Sequence, residues 1–216
     1  RSGILDGNPI HRDMTAACRM AKLQFIVNVI LDSEHNTVAA FAGDAIDAHR
    51  AGCDELMRWC GVRPEKRGDI VVTSNGGAPL DQNLYQAVKG IVTADGVAAD
   101  GGVIIMCSEC ADGSGSDDFY RSLRGCASPQ ALLDQILTVP QDETEMDQWQ
   151  YQMLVDVLVR HRVIMVTRPE LAGMVREMKM DYAPDLESAM DAAMALRGND
   201  AHIVVMPDGI SVVPER

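Results

Sequence analysis

Apolar residues recur along this chain at two spacings, and the change from one to the other marks its elements. Leu23 to Leu31 is dense in β-forming residues (Phe25, Ile26, Val27, Val29, Ile30) and reads as a strand. Asp32 to Asn36 is a turn, and Thr37 to Ala42 returns as a second strand, giving a hairpin. Ile70-Val71-Val72 and Val103 to Met106 are short apolar runs of the kind that fill buried strands. Val163 to Thr167 reads as a strand too. Ile203 to Met206 and Ile210 to Val213 read as a terminal strand pair around Pro207-Asp208-Gly209.

The helical spacing lies between these runs. Arg1 to Gly7 is a loop, and Asn8-Pro9 supplies an N-cap and a first-turn proline for a helix to about Met20. Asp44 to Cys60 has an apolar side of Ile46, Cys53, Leu56 and Met57, and Gly61 follows it. Arg63 to Lys66 is a basic connector. Ser116 to Arg124 and Ser128 to Thr138 are short helices. Thr144-Glu-Met-Asp147 resembles a capping box and opens a long helix to about His161. Further helices run from Arg168-Pro169 to about Met178 and from Asp185 to Leu196. Strands separated by helices predict a three-layer α/β/α domain with a largely parallel central sheet. The hairpin near the N-terminus and the terminal strand pair leave a mixed sheet open. The expected division is 1–62, a helix, hairpin and helix, followed by 63–216, the α/β domain proper.

Gly68 to Gly90 is the stretch with the most chemistry. Its strand ends at Asn75-Gly76-Gly77, where two glycines permit positive φ and a close ligand. Pro79 and Asp81, read as an N-cap, then open a helix. Strand, glycine turn and helix together are expected to aim free N–H groups and a helix dipole into one crevice. Leu84, Val88 and Ile91 share the packing side of that helix; Gln82, Tyr85, Gln86, Lys89 and Thr93 share the other. From spacing, the second side is either a solvated face or a ligand face. A phenol, an amide and an ammonium together suit a small hydroxylated carboxylate.

The remaining candidates carry less. A zinc site at Cys107 and Cys110 lacks a second cysteine pair, and a thioredoxin-like motif would begin a helix, not end a strand. The Gly113–Gly115 loop could offer N–H groups to phosphate or be a plain surface loop. If the strands are parallel, it shares the sheet's carboxyl edge with Asn75. Trp149 reads as core, interface or pocket wall, and His11 and His35 as surface residues.

Composition narrows the classes. At 216 residues and 47% hydrophobic content the chain can bury a core. A net charge of −13 argues against nucleic acid and against an anionic membrane as partners. Six scattered cysteines and thirteen methionines suggest a reduced cytoplasm. The chain begins with Arg1, which reads as a piece of a longer or processed protein.

Gly-Asp-Ile-Val-Val-Thr-Ser-Asn-Gly-Gly-Ala-Pro-Leu-Asp-Gln-Asn-Leu-Tyr-Gln-Ala-Val-Lys-Gly (68–90), Gly-Gly-Val-Ile-Ile-Met (101–106) and Gly-Asn-Pro-Ile-His-Arg-Asp-Met (7–14) resemble the nickel-pincer lactate racemase family, in its carboxyl-terminal half. The resemblance implies a two-domain isomerase. Its nickel pincer nucleotide is attached through a lysine of the N-terminal domain, and hydride moves reversibly at C2 of a 2-hydroxy acid. It implies that Tyr85, Gln86 and Lys89 hold the carboxylate and neighbouring oxygens, with Asn75 in the adjoining loop, and that Trp149 closes the pocket. None of the five histidines stands in the family's nickel-binding context. The expectation is that this chain alone holds neither metal nor pincer cofactor and is inactive. The expected partners are a missing N-terminal domain of the same polypeptide and a small 2-hydroxy acid. A homodimer through exposed apolar surface is a further expectation. A non-catalytic organic-anion binding or sensing module is the alternative reading. A nucleotide-binding domain is weaker, because no G-x-G-x-x-G follows a strand.

Overall fold

The computed structural model describes residues 3–215; Arg1, Ser2 and Arg216, at the ends of the two expected regions, lie outside the described residues. Two compact units are present, one of residues 3–62 with 213–215 and one of residues 63–212.

The first unit holds α1 (Pro9–Met20), β1 (Ile26–Leu31), β2 (Thr37–Gly43), α2 (Ala45–Cys60) and β3 (Gly61–Val62), with β9 (Val213–Pro214) from the chain's end. Both helices start where the cap residues lie. Asn8 Oδ1 accepts from the Ile10 N–H at 3.1 Å, and Asp44 Oδ1 from the Ile46 N–H at 2.8 Å. β1 and β2 form the expected antiparallel hairpin, with a register shift at Ile30/Leu31. Ile26, Asn28 and Ile30 alternate with Val27, Val29 and Leu31, and the second set is exposed. Val38, Ala40 and Ala42 are likewise exposed on β2, opposite this apolar row. Both sides of the hairpin are therefore apolar, so alternation alone does not tell inside from outside.

The second unit contains a five-stranded sheet in the order β7-β6-β5-β4-β8, parallel throughout. The strands are β4 (Gly68–Ser74), β5 (Ala98–Cys107), β6 (Arg162–Val166), β7 (Asp181–Ala183) and β8 (Ile203–Met206). The helices are α3 (Leu84–Asp95), α4 (Asp117–Gly125), α5 (Pro129–Ile136), α6 (Gln148–Arg160), α7 (Ala172–Glu177) and α8 (Leu186–Arg197). One face of the sheet packs Val71, Ile104, Met106, Val163 and Met165 against α3 to α7. The other packs Ile70, Val103, Ile105 and Ile164 against Ala189 and Ala193 of α8. That is the expected three-layer domain, with a single helix on its second face.

The structure departs from this outline at three places. The terminal strands do not pair with each other. β8 joins the sheet beside β4, and β9 pairs in parallel with β3. The turn between them is held locally, because the Asp208 carboxylate accepts from the N–H groups of Ile210 and Ser211. β7 was not foreseen, since Asp181-Tyr182-Ala183 is too short to show a pattern. β5 begins at Ala98, before the apolar run at 103–106, and carries Gly101-Gly102 within it at a register shift against β4.

The chain steps outward from β4 through β5 and β6 to β7, then crosses back to β8 on the other side of β4. The order reverses between β4 and β8, where α/β proteins of this kind open a crevice at the strands' carboxyl ends. Here the two post-strand loops close on each other. Asn75 bridges Asp208, and the Gly209 N–H donates to the Ser74 carbonyl at 2.8 Å.

Candidate functional site

The site begins at the start of α3. Its N-cap is Asn83, not Asp81: the Asn83 Oδ1 accepts from the Gln86 N–H at 2.9 Å. Asp81 and Gln82 lie one step earlier, where their carbonyls accept from the N–H groups of Cys110 and Asp112, both at 2.8 Å. The Leu84 and Tyr85 N–H groups donate to the carbonyls of Gly113 and Ser114, at 2.9 and 3.0 Å. The Gly-Ser loop after β5 is thus zipped to residues 81–85 at the sheet's carboxyl edge. Gly115, at φ +79, lies so close to Asn83 that a Cβ there would stand 2.4 Å from the Asn83 Cγ. The free N–H groups expected at this helix start are therefore already taken by the chain itself, and the anion crevice built on them does not form.

Asn75 is only 1% exposed. Its amide donates to the carbonyls of Leu80 and Gln86, at 2.8 and 2.7 Å. Its Oδ1 is buried without a donor, above Gly90, where a Cβ would stand 2.4 Å from it. Asn75 thus turns inward and braces the loop against α3, away from any ligand in this state.

The other four candidates behave differently. Tyr85 is half-buried between Phe119 and Trp149, edge-on to both, with ring centroids at 5.4 and 6.2 Å. Trp149 is 55% exposed. The structure therefore joins two side chains that sit 64 positions apart (149 − 85) in the sequence. Gln86 is half-buried, and its Oε1 has no hydrogen-bond donor. Lys89 is exposed one turn beyond Tyr85, and among the described residues it forms no ion pair.

Two neighbours were not picked out from the sequence. Asp147 accepts a hydrogen bond from the Tyr85 hydroxyl at 3.1 Å and another from the Ser116 hydroxyl. Gln150, 1% exposed, donates to the Tyr85 carbonyl at 2.5 Å. Burial raises the Tyr85 phenol above its ordinary range, and the Asp147 hydrogen bond and charge add to the effect. The capping-box reading starts the helix at Thr144, with Asp147 in its first turn; the helix instead starts at Gln148, with Asp147 as its N-cap residue in the left-handed region at φ 61, and the Asp147 side chain caps nothing.

Cys110 is buried with its thiol pushed up by burial, and its Sγ donates to the Ser108 hydroxyl at 3.1 Å. Cys107 and Cys110 are both free thiols. Among the described residues no three His, Cys, Asp or Glu side chains come together as a metal would require. Among the described residues no helix is long and apolar enough to cross a membrane.

Fold and site define a doubly wound α/β domain with an aromatic, amide and ammonium face on the helix that follows its switch-point strand. Residues 63–214 match the family model described as lactate racemase C-terminal domain. The chain belongs to the lactate racemase family. It is 47% identical to the lactate racemase of Thermoanaerobacterium thermosaccharolyticum and 42% identical to that of Lactiplantibacillus plantarum, in each case over 99% of this chain and 50% of the relative. The lactate racemase apoprotein structure from the former organism superposes with a TM-score of 0.97, at 46% identity, covering 100% of this chain and 52% of that one. A Thermotoga maritima protein shares the fold at a TM-score of 0.66 and 14% identity. The chain thus spans about half the length of the curated relatives it matches.

Proposed function

We propose that this chain is the substrate-positioning half of a 2-hydroxyacid racemase or epimerase of the lactate type. The observation that carries the reading is the meeting of Trp149 with Tyr85, one helical turn from exposed Lys89, which forms no ion pair among the described residues. Lys89 binds the substrate carboxylate as a point charge, and Gln86 and Tyr85 hold the neighbouring oxygens. Trp149 lies over the bound acid and excludes water from it. A substrate held at both its carboxylate and its hydroxyl presents C2 in one orientation, which is the entropic part of catalysis. Asn75 supports the site from behind by bracing the first turn of α3.

The nickel pincer cofactor that the resemblance implies would be held by an N-terminal domain of the same polypeptide, since among the described residues no group of His, Cys, Asp or Glu side chains fits a metal. On this reading the chain alone racemises nothing. The test uses the full-length protein, assayed for racemisation over a panel of 2-hydroxy acids and analysed for nickel. Lys89→Ala should lower kcat/KM there by at least about tenfold, the loss of one charge-assisted hydrogen bond. Unchanged kinetics in that variant would remove Lys89 from the site.

A further inference from the structure

A cavity of about 400 Å³ opens at the amino edge of the sheet, between the start of β6, the end of α7 and the start of β7. On a chain of net charge −13 its wall is mostly cationic, with Arg162, Arg176 and Lys179 on it and Asp181 as their acidic neighbour. Two of these cations have ordinary explanations. Arg162 donates twice to the Asp181 carboxylate, at 3.0 and 2.6 Å, and that pair cancels. Arg176 ends α7, where a cation suits the helix dipole, and its guanidinium lies 5.3 Å from the centre of the Tyr182 ring.

Lys179 and His161 have no such explanation. Lys179 stands at φ 67, one step past the last turn of α7, where glycine is the usual residue. A long side chain is kept there against backbone strain. Its ammonium donates to the Arg124 carbonyl at 3.3 Å and makes no ion pair among the described residues. His161 also lines the cavity and is only 6% exposed. Its Nε2 lies 3.1 Å from the Asp95 carboxylate, which stays ionised down to about pH 2, so Nε2 carries the ring proton. That leaves Nδ1 of the neutral ring as a bare lone pair, buried without a partner. The other charges around the ring are matched: Arg160 with Asp95 and Asp156, Arg162 with Asp181.

The wall therefore makes two demands at once. Arg176 and Lys179 ask for anionic oxygens, and Nδ1 asks for a proton. We propose that this cavity is a binding site for hydrogenphosphate: Arg176 and Lys179 hold its charged oxygens, and His161 Nδ1 accepts from its P–OH. Sulfate has the same shape and charge but no proton, so its oxygen would meet the Nδ1 lone pair with nothing between them. A phosphate monoester, fully ionised at pH 8, fails in the same way. Asp95 acts here through the ring, by fixing which nitrogen is bare.

The test is calorimetric titration of the full-length protein at pH 8, where an imidazole is neutral, in a buffer without other oxyanions. Inorganic phosphate should bind, and sulfate and methyl phosphate should each bind at least about tenfold more weakly, the cost of one hydrogen bond left unmade. His161→Gln keeps a donor for Asp95 and has nothing at Nδ1, so it should bring phosphate and sulfate to equal affinity. Lys179→Gly relaxes the backbone and removes the ammonium; it should weaken both ions by about tenfold while the thermal midpoint holds or rises. Phosphate and sulfate that bind alike in the wild type would overturn the proposal, as would no phosphate binding at millimolar concentration. A preference kept in His161→Gln, or phosphate affinity untouched in Lys179→Gly, would put the ion elsewhere and overturn it too. The ring can also be read without substitution, which covers a His161→Gln that folds poorly. With histidine labelled with nitrogen-15, one Nδ1 signal should move on adding phosphate and stay on adding sulfate, and Lys179→Gly should need more phosphate for the same shift. If no histidine signal responds, the proposal falls.

Discussion

α3 and α6 are joined at both ends, and the two joints are built in opposite ways. At the carboxyl ends, the Asp95 carboxylate lies 3.1 Å from the His161 Nε2 and is paired with the Arg160 guanidinium. Asp95 and His161 are both buried. At the amino ends, Tyr85 meets Asp147 and Trp149 while Lys89 stands exposed. Three amide oxygens around that end, on Asn75, Gln86 and Gln150, are buried without donors, against one ring nitrogen, His161 Nδ1, at the other end. A joint whose ionised groups are matched serves rigidity. A joint that leaves acceptors unmatched and an ammonium free keeps unspent binding capacity, and this is where ligand chemistry belongs.

The contrast can be broken first at the closed end. Asp95→Ala should cost about 3–5 kcal/mol, because it removes a buried carboxylate from between a buried histidine and the exposed Arg160 guanidinium. The denaturant midpoint reads this directly. An effect below about 1 kcal/mol would show that this joint holds little.

Acid should open the same joint. Burial alone would raise the Asp95 carboxyl, but hydrogen bonds from His161 and Arg160 outweigh it and hold the pKa at about 2, against an ordinary 3.8. A depressed carboxylate stabilises the fold fully above its unfolded value and loses that contribution as pH falls from about 4 to 2. About 2 kcal/mol should disappear across that window in the wild type. Asp95→Asn should lack this part of the acid dependence.

Gly90→Ala probes the wall behind the open end. Its Cβ would press on the Asn75 Oδ1, which two amide hydrogen bonds keep from moving away. A loss of about 1–3 kcal/mol is expected in thermal unfolding despite the better helix propensity of alanine.

The smallest stability effect should come from Lys89→Ala, within about 0.5 kcal/mol, although it should change turnover most among surface positions. A large destabilisation there would mean that Lys89 supports the fold and that the two ends are less different than they look.

The strand runs at 70–72, 103–106 and 163–167 were legible because buried parallel strands are written as unbroken apolar text. The polar face of α3 was legible through helical period, and Trp149 through its rarity. What stayed hidden depended on distance in sequence. Nothing near Asn75 says that its amide turns inward onto Gly90. Nothing near Gly113 says that its carbonyl meets the Leu84 N–H. Asp147 was misread because a capping pattern and a tyrosine anchor use the same residue type. The last strand was misassigned because Val213 has its partner at Gly61, far from the turn that seemed to reverse it.

The zipper between residues 81–85 and 108–114 has a consequence for length variation. Each of four backbone hydrogen bonds crosses it in fixed register, and Gly115 leaves no slack against Asn83. One residue inserted or deleted between Ser108 and Ser116 would slide every donor off its acceptor and pull Asn83 from its helix. Variants of altered loop length should therefore be purged from this segment, while the exposed stretch around Gln141–Glu143 accommodates them, so indel libraries of this domain should come out strongly uneven.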